Sequence, residues 1–289
     1  DNLVEAMSGI IVGGYKGKLT IDNKSGTRLA ANSLKTLADK TAGDLVAKES
    51  IIIEGKASDV AILFNDVSFK GATAGVDLDN ATITLQNLVD INNKTDGNIA
   101  INAAQLGTSF EGTAADLFAA TNGITNLTGS ISVKGGPSHS LEQLIRINTA
   151  TSGDITLEYP AQTLSGSADD LKKALSGTLK YTDKGVLKTG YLGNLNITNA
   201  KGTSVNATDI TTIKDSSTGL VTVVNEIDIL GTSTDVSAAV KIGGNINAAK
   251  ANVSLSDKAH TLDELKDINE SVDGSITILA KHRGVALTG

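Results

Sequence analysis

Three histidines, His139, His260 and His282, are the side chains of this chain whose ordinary pKa lies near neutrality. His139 and His260 stand at related places, one residue before the phrases S-x-x-Q and T-x-x-E. A shared turn preference explains the pair; a proton switch or a metal ligand is the alternative. Cysteine is absent, so disulfides, thiolate metal sites and thiol nucleophiles are excluded. Among the acids, Asp116, Asp170 and Asp235 each follow a hydroxyl residue by three positions: Thr113, Ser167 and Thr232. That spacing suits helix N-caps with an acid in the first turn. It also suits calcium held between adjacent turns, because calcium takes several oxygen ligands. Calcium is therefore a possible cofactor, with its ligands unassigned. The turn acids Asp96, Asp154 and Asp273 are offset from one another and make no clean column. No G-x-S-x-G, H-E-x-x-H, Walker or Rossmann motif occurs, and Gly243-Gly244 in KIGGNINAAK reads as a turn. No residue is assigned a catalytic or cofactor-binding role, and the chain is not expected to be an enzyme.

The elements that carry these residues come in a repeat. Taking the residue that opens each G-x-I-x-I strand, one series (type A) is Gly43, Gly97, Gly153, Gly219 and Gly274, at steps of 54, 56, 66 and 55 residues. A second series (type B) is Gly17, Ala74, Gly129, Gly193 and Ala251, at steps of 57, 55, 64 and 58. The two interleave, giving about ten helix–strand repeats in five A+B pairs. Type A repeats place apolar residues on one helix face, as in Leu85, Leu88 and Ile91, Leu141, Leu144 and Ile147, or Leu262, Leu265 and Ile268. Ser140 with Gln143 and Thr261 with Glu264 read as capping boxes, and Asn206 with Asp209 as a looser one. Type B helices bury Val60, Leu117, Leu171 and Val236, and Lys56 departs from their cap pattern. A short apolar stretch before each B helix (SIIIEG at Ser50, QTLSG at Gln162, IDILG at Ile227) can form a second strand. The long step from Gly153 to Gly193 contains LKYTDKGVLKTGYLG, Leu179 to Gly193, which reads as a loop insertion.

Composition is consistent with this layout. Apolar residues make up 40% of the 289, too many for a disordered chain. Aromatics are 3%, so the core is built from Leu, Ile, Val and Ala. A net charge of -7 without a basic stripe argues against nucleic acid as a partner. No apolar run reaches the roughly 20 residues of a membrane helix. Eight N-x-S/T sequons, among them Asn23, Asn93 and Asn196, leave glycosylation as a minor hypothesis.

A helix and a strand per repeat cannot bury an apolar face alone, so the repeats must stack. The expected fold is an α/β repeat solenoid: a parallel sheet with short helices, filling residues 1–289 as one array. A conventional two-domain globular fold is the alternative. Ten strands at ~4.8 Å would make one sheet about 45 Å long. Helices need roughly 8–10 Å each, a mismatch that should curve the stack or send A and B helices to different sides. The outward strand positions Thr20, Val46, Asp77, Ala100, Ser132, Thr156, Asn196, Thr222, Ser254 and Thr277 would form one column. A flat threonine array would suggest ice binding; this mixture suits a solvated or packing face. The sequence opens at Asn2 inside a type B helix and closes at ALTG, Gly289, ahead of the next one. It reads as a section of a longer array.

The phrases TLxxLxxINxxTxGxITL (Thr84–Ile101, Ser140–Leu157, Thr261–Ile278) and SGTAxDLxxAL…TGxIxV (Gly112–Val133, Gly166–Ile197) resemble repeats of giant exported bacterial surface proteins. These are the surface-layer, swimming-associated and RTX-adhesin proteins of cyanobacteria and marine bacteria. The resemblance implies an extracellular, cell-surface location and a structural or adhesive role, often in calcium-dependent assemblies. The calcium nonapeptide G-G-x-G-x-D is absent. The expected function is a structural repeat region that self-associates into a layer, sheath or filament, with cell-surface polysaccharide as a further partner. The stalk of a large adhesin is the alternative. A solenoid carbohydrate-active enzyme or phage fibre is a third, and it would need clustered carboxylates and sugar-stacking aromatics.

Overall fold

The computed structural model describes residues 5–47, 50–136, 139–256 and 260–278. The first type B helix is thus seen at Glu5 and Ala6; its opening at Asn2, the closing ALTG and His282 lie outside the described residues. The chain is a mixed α/β structure with several mostly parallel sheets and short helices, divided into two compact units. One unit comprises Asp1–Val133 with Thr149–Gly153, the other Lys134–Asn148 with Asp154–Gly289.

In the first unit the order is β1 (Leu19–Ile21), β2 (Arg28–Ala30), α1 (Ala31–Lys40), β3 (Leu45–Ala47), β4 (Ile52–Gly55) and α2 (Ala57–Asn65). It continues with β5 (Phe69–Lys70), β6 (Gly75–Leu78), α3 (Leu85–Asn92), β7 (Ile99–Ile101), β8 (Phe110–Gly112), α4 (Ala114–Ala120) and β9 (Ile131–Val133). The second unit holds most of α5 (Leu141–Ala150), then β10 (Ile155–Leu157), β11 (Leu164–Gly166), α6 (Ala168–Leu175), β12 (Leu179–Asp183) and β13 (Val186–Thr189). There follow β14 (Leu195–Ile197), β15 (Ser204–Asn206), α7 (Ala207–Asp215), β16 (Val221–Val223), β17 (Asp228–Gly231), α8 (Ser233–Val240), β18 (Ile246–Asn247), β19 (Asn252–Leu255), α9 (Leu262–Ser271) and β20 (Ile276–Ile278).

Local chemistry accounts for these boundaries. Thr84 with Asn87 and Thr261 with Glu264 form reciprocal capping boxes. Thr113, Ser167 and Thr232 each accept the N–H of the acid three residues on. Lys56 caps nothing with its side chain, as its type predicts. Asn206 corrects the sequence reading: it ends β15 and makes no side-chain cap. Facing residues at i, i+3 and i+6 are buried, for example Ala207, Ile210 and Ile213 at 0% exposure. Strand residues two apart point into the same core, as Leu195/Ile197 and Val253/Leu255 do.

All ten anticipated strands exist, but they do not form one ten-stranded sheet. In the first unit the sheets run β1-β3-β5 and β2-β4-β6-β7, with β8 beside β9. In the second they run β11-β14-β16-β18 and β15-β17-β19-β20, with β10-β12-β13 besides. A type B strand and the following type A strand share a ladder: Leu19 faces Leu45, Val76 faces Ile99, Leu195 faces Val221, Val253 faces Ile276. No described pairing joins a type A strand to the following type B strand, because an added strand intervenes: β4, β8, β11 or β17. Three of these are the apolar stretches flagged before the B helices.

Two spacings explain the change of sheet. Ladder partners lie 21–26 residues apart in the first unit, for instance Leu19 with Leu45, Val76 with Ile99 and Phe110 with Ile131. First helical residues lie 26–29 apart: Ala31, Ala57, Leu85 and Ala114. Helices α1 to α4 pack each against the next, as do α6 to α9. A and B helices therefore share a row, contrary to one expectation. A helix row advances roughly 8–10 Å per member and a strand ladder ~4.8 Å. The chain absorbs the difference by moving to a new sheet once per A+B pair. The outward positions accordingly fall into separate pairs, Thr20 with Val46 or Asn196 with Thr222, and not into one column.

The insertion at Leu179–Gly193 is a β-hairpin and not a loop. β12 and β13 pair antiparallel, and Lys184 and Gly185 turn the corner at φ 50° and 81°. The hairpin interrupts the parallel pattern and covers one edge of β12.

Candidate functional site

The most repeated chemistry in the molecule is a clamp between neighbouring strands. Two residues before four of the five type A glycines stands a buried hydroxyl: Thr41, Thr95, Thr151 and Ser217. Each donates to the carbonyl that opens the preceding type B strand. Thr41 reaches Gly17 O at 2.6 Å, Thr95 reaches Ala74 O at 2.5 Å, Thr151 reaches Gly129 O at 2.7 Å and Ser217 reaches Gly193 O at 2.8 Å. Each also accepts the N–H of its own glycine at 2.9–3.0 Å. One hydroxyl thus satisfies two backbone groups at the point where the ladder starts.

The glycine is required by proximity. A Cβ on Gly97 would sit 2.1 Å from Ala74 O, on Gly153 2.5 Å from Gly129 O, on Gly219 2.3 Å from Gly193 O and on Gly274 2.2 Å from Ala251 O. The fifth repeat carries Val272 where the others have a hydroxyl. There Asn252 Oδ1 accepts from Ser275 N at 2.8 Å and Ser275 Oγ at 3.1 Å. A third contact joins helices. Asn92 donates to Ala120 O, Asn148 to Lys173 O and Lys214 to Ala238 O, each at 2.7 Å, supplying an acceptor-rich helix end in the next repeat with a donor.

The T-x-G spacing is present in the sequence at Thr41, Thr95 and Thr151. Spacing alone does not say that the hydroxyl faces inward toward another strand.

The residues singled out for chemistry are mostly occupied in structure. Asp116, Asp170 and Asp235 accept from Thr113, Ser167 and Thr232 hydroxyls at 2.8 Å, each on its own helix. Asp154 pairs with Lys180 at 2.5 Å, while the N–H groups of Asp96 and Asp273 bond Ala72 O and Ala249 O. Among the described residues no three His, Asp or Glu gather into a metal-holding group. An open groove of 440 Å³ is lined in part by Glu54, Asp59, Asp77 and Asp79. Arg28 bridges Glu54 and Asp77, and Asp79 accepts from Ala81 N.

His139 and His260 are buried, 2% and 4% exposed, at the position before a helix N-cap. Ile83 fills the same place ahead of α3 and is equally buried. The imidazoles therefore occupy a staple position, where an apolar side chain normally packs under the first turn. His139 Nε2 lies 3.0 Å from Tyr191 Oη, which donates to Gln162 O at 2.5 Å. Since the phenol has one proton and spends it on Gln162, His139 donates from Nε2. Burial pushes the His139 pKa down and the Tyr191 pKa up.

These environments set an acid response. His139 is depressed from 6.5, so its neutral form stabilises the fold fully above pH 6.5 and the contribution is lost as pH falls below that value. Glu264 accepts from Thr234, the Thr261 N–H and Ser233, and is held at about 2. Its contribution is full above its ordinary 4.5 and is lost between 4.5 and about 2. Solvent screening limits that contribution to about 1 kcal/mol. Urea unfolding across pH should show both declines in the wild type. His139→Gln should abolish the upper one and Glu264→Gln the lower; an unchanged profile in either variant would refute that assignment.

No protein-family model, no curated protein and no solved structure matches this chain.

Proposed function

We propose that the chain is a non-enzymatic structural repeat region of an extracellular surface-layer, sheath or filament protein. In this reading residues 1–289 form one α/β solenoid, each turn adding a helix to the helix row and one or two strands to the staggered sheets. The observation that carries the proposal is the recurrence of one seam: a type A glycine, its hydroxyl two residues earlier, and the type B carbonyl they engage. A seam that recurs in four of the five A+B pairs holds successive turns together by the same kind of contact, as stacked repeats require. Thr41, Thr95, Thr151 and Ser217 serve that seam, and Asp116, Asp170 and Asp235 serve helix caps. Self-association into a layer or filament then needs only exposed faces, and any polysaccharide or calcium contact would sit outside the seam.

The test is the native location and size of the protein. Material sheared from the cell exterior should contain this sequence within an assembly, detected by mass spectrometry of its peptides. Recovery from the cytosol as a free monomer would overturn the proposal.

A further inference from the structure

Asparagine is followed by glycine at one place in the chain, Asn122-Gly123; every other asparagine precedes a residue with a Cβ. The backbone nitrogen of the following residue can attack an asparagine side-chain carbonyl, and glycine leaves that approach unobstructed. The pair lies in the turn that follows α4. Both residues are exposed, and Gly123 holds φ 72° with nothing within 4 Å of where a Cβ would sit. The turn closes through the Ile124 N–H, which donates to Thr121 O at 3.1 Å.

The seam supplies a contrast within the same unit. Thr95-Asp96-Gly97 has the same spacing as Thr121-Asn122-Gly123, with an acid in place of the amide. There the Thr95 hydroxyl accepts the Gly97 N–H at 2.9 Å, and the glycine packs against Ala74 O. The Thr121 hydroxyl turns the other way and donates to Leu117 O at 2.7 Å. Among the described residues no backbone carbonyl accepts the Gly123 N–H. One glycine nitrogen is therefore held by the fold and the other is left to react.

We infer that Asn122 is a self-modification site, converting to aspartate and isoaspartate as the protein ages. Gly123 N bonds to Asn122 Cγ, the bond from Cγ to the side-chain nitrogen breaks, and ammonia leaves carrying the proton of the Gly123 N–H. The five-membered succinimide so formed is opened by water. Cleavage at the side-chain carbonyl gives aspartate, and cleavage at the main-chain carbonyl gives isoaspartate. Water is the co-reactant, and no electrons change hands. The inference stands apart from the location proposed above.

Either product adds a negative charge to a chain whose net charge is already -7. Isoaspartate also routes the main chain through the side-chain carbon, lengthening it between Thr121 and Ile124. Ile124 is 3% exposed, so this turn delivers a core residue. A longer main chain loosens that anchor beside α4. The seam hydroxyl at Thr95 gains a second effect, since it restrains the nitrogen that would attack Asp96.

The experiment is a time course of the purified chain held folded at mildly alkaline pH, read by peptide mapping with tandem mass spectrometry. Two variants run beside it, Asp96→Asn and Asn122→Asp, both at exposed positions, with circular dichroism checking their fold. Asn122 should convert ahead of every other asparagine and yield both products. Asn122 intact, or converting no faster than the others, would overturn the site. D96N places the Thr-Asn-Gly phrase in the seam; its new amide should convert at least about fivefold more slowly than Asn122, the factor one net hydrogen bond supplies. In urea the two amides should converge. Equal rates in the folded chain, or a difference that persists in urea, would overturn the part given to the seam hydroxyl. Hydrogen exchange at the Ile124 amide should quicken in the aged protein and not in Asn122→Asp, which adds the charge without lengthening the main chain. Unchanged exchange in the aged protein would overturn the loosened anchor.

Discussion

Gly97→Ala is expected to destabilise the first unit by about 3 kcal/mol or more, measured by urea unfolding. The added methyl would lie 2.1 Å from Ala74 O, 2.5 Å from Ala74 C and 2.8 Å from Gly75 N. All three are backbone atoms of the neighbouring strand, so no rotamer change relieves the clash. The ladder from Val76 to Ile99 would have to open at its first rung. Gly75→Ala is the matched comparison. It lies next in the same seam, yet its nearest contact for a new Cβ is Asn98 O at 3.5 Å, an ordinary separation. That substitution should change stability by less than about 1 kcal/mol. Equal losses in the two variants would mean that close approach is not why the type A position holds glycine.

Thr151→Val is expected to cost about 2 kcal/mol. Valine keeps the shape but leaves Gly129 O and the Gly153 N–H, both served by the Thr151 hydroxyl, short of a partner where water has little access. Thr151→Ser should stay close to wild type, because Ser217 performs the same task natively at 2.8 Å from Gly193 O. Amide hydrogen exchange gives the sharper readout. The Gly153 N–H should lose protection in the valine variant and keep it in the serine variant. Unchanged protection in both would show that the hydroxyl is a bystander and that the ladder bonds carry the seam.

The glycine series illustrates how far a sequence speaks and where it falls silent. Type A positions hold glycine five times, whereas type B positions hold Gly17, Ala74, Gly129, Gly193 and Ala251. The structure gives the reason for part of that difference. Gly129 and Gly193 need their small size, a Cβ there falling 2.0 and 1.9 Å from Thr108 O and Gln162 O. Ala74 and Ala251 sit buried with their methyl groups accommodated, 1% and 0% exposed. Which type B site meets a carbonyl depends on where the added strand passes, and that is a matter of three-dimensional path. Leu179–Gly193 makes the same point. Extra length was visible, but DKGV as a hairpin turn required φ above zero at both Lys184 and Gly185, and a lysine advertises that conformation poorly.

By itself the sequence determined the ten helix–strand repeats, though not the hairpin at Leu179–Gly193 or the strand Phe110–Gly112. Period-two and period-three patterns, hydroxyl–acid caps and glycine punctuation are local, and local sterics and hydrogen bonding enforce them wherever the segment lies. It also determined which faces are apolar, and hence that the repeats pack against one another. Tertiary structure decided which strands meet. The helix row and the strand ladders advance by different distances per repeat, so the chain must reconcile two lengths that no single repeat contains. It does so with an added strand in each pair and a change of sheet, and that choice sets which carbonyl faces Gly97 and which hydroxyl serves it.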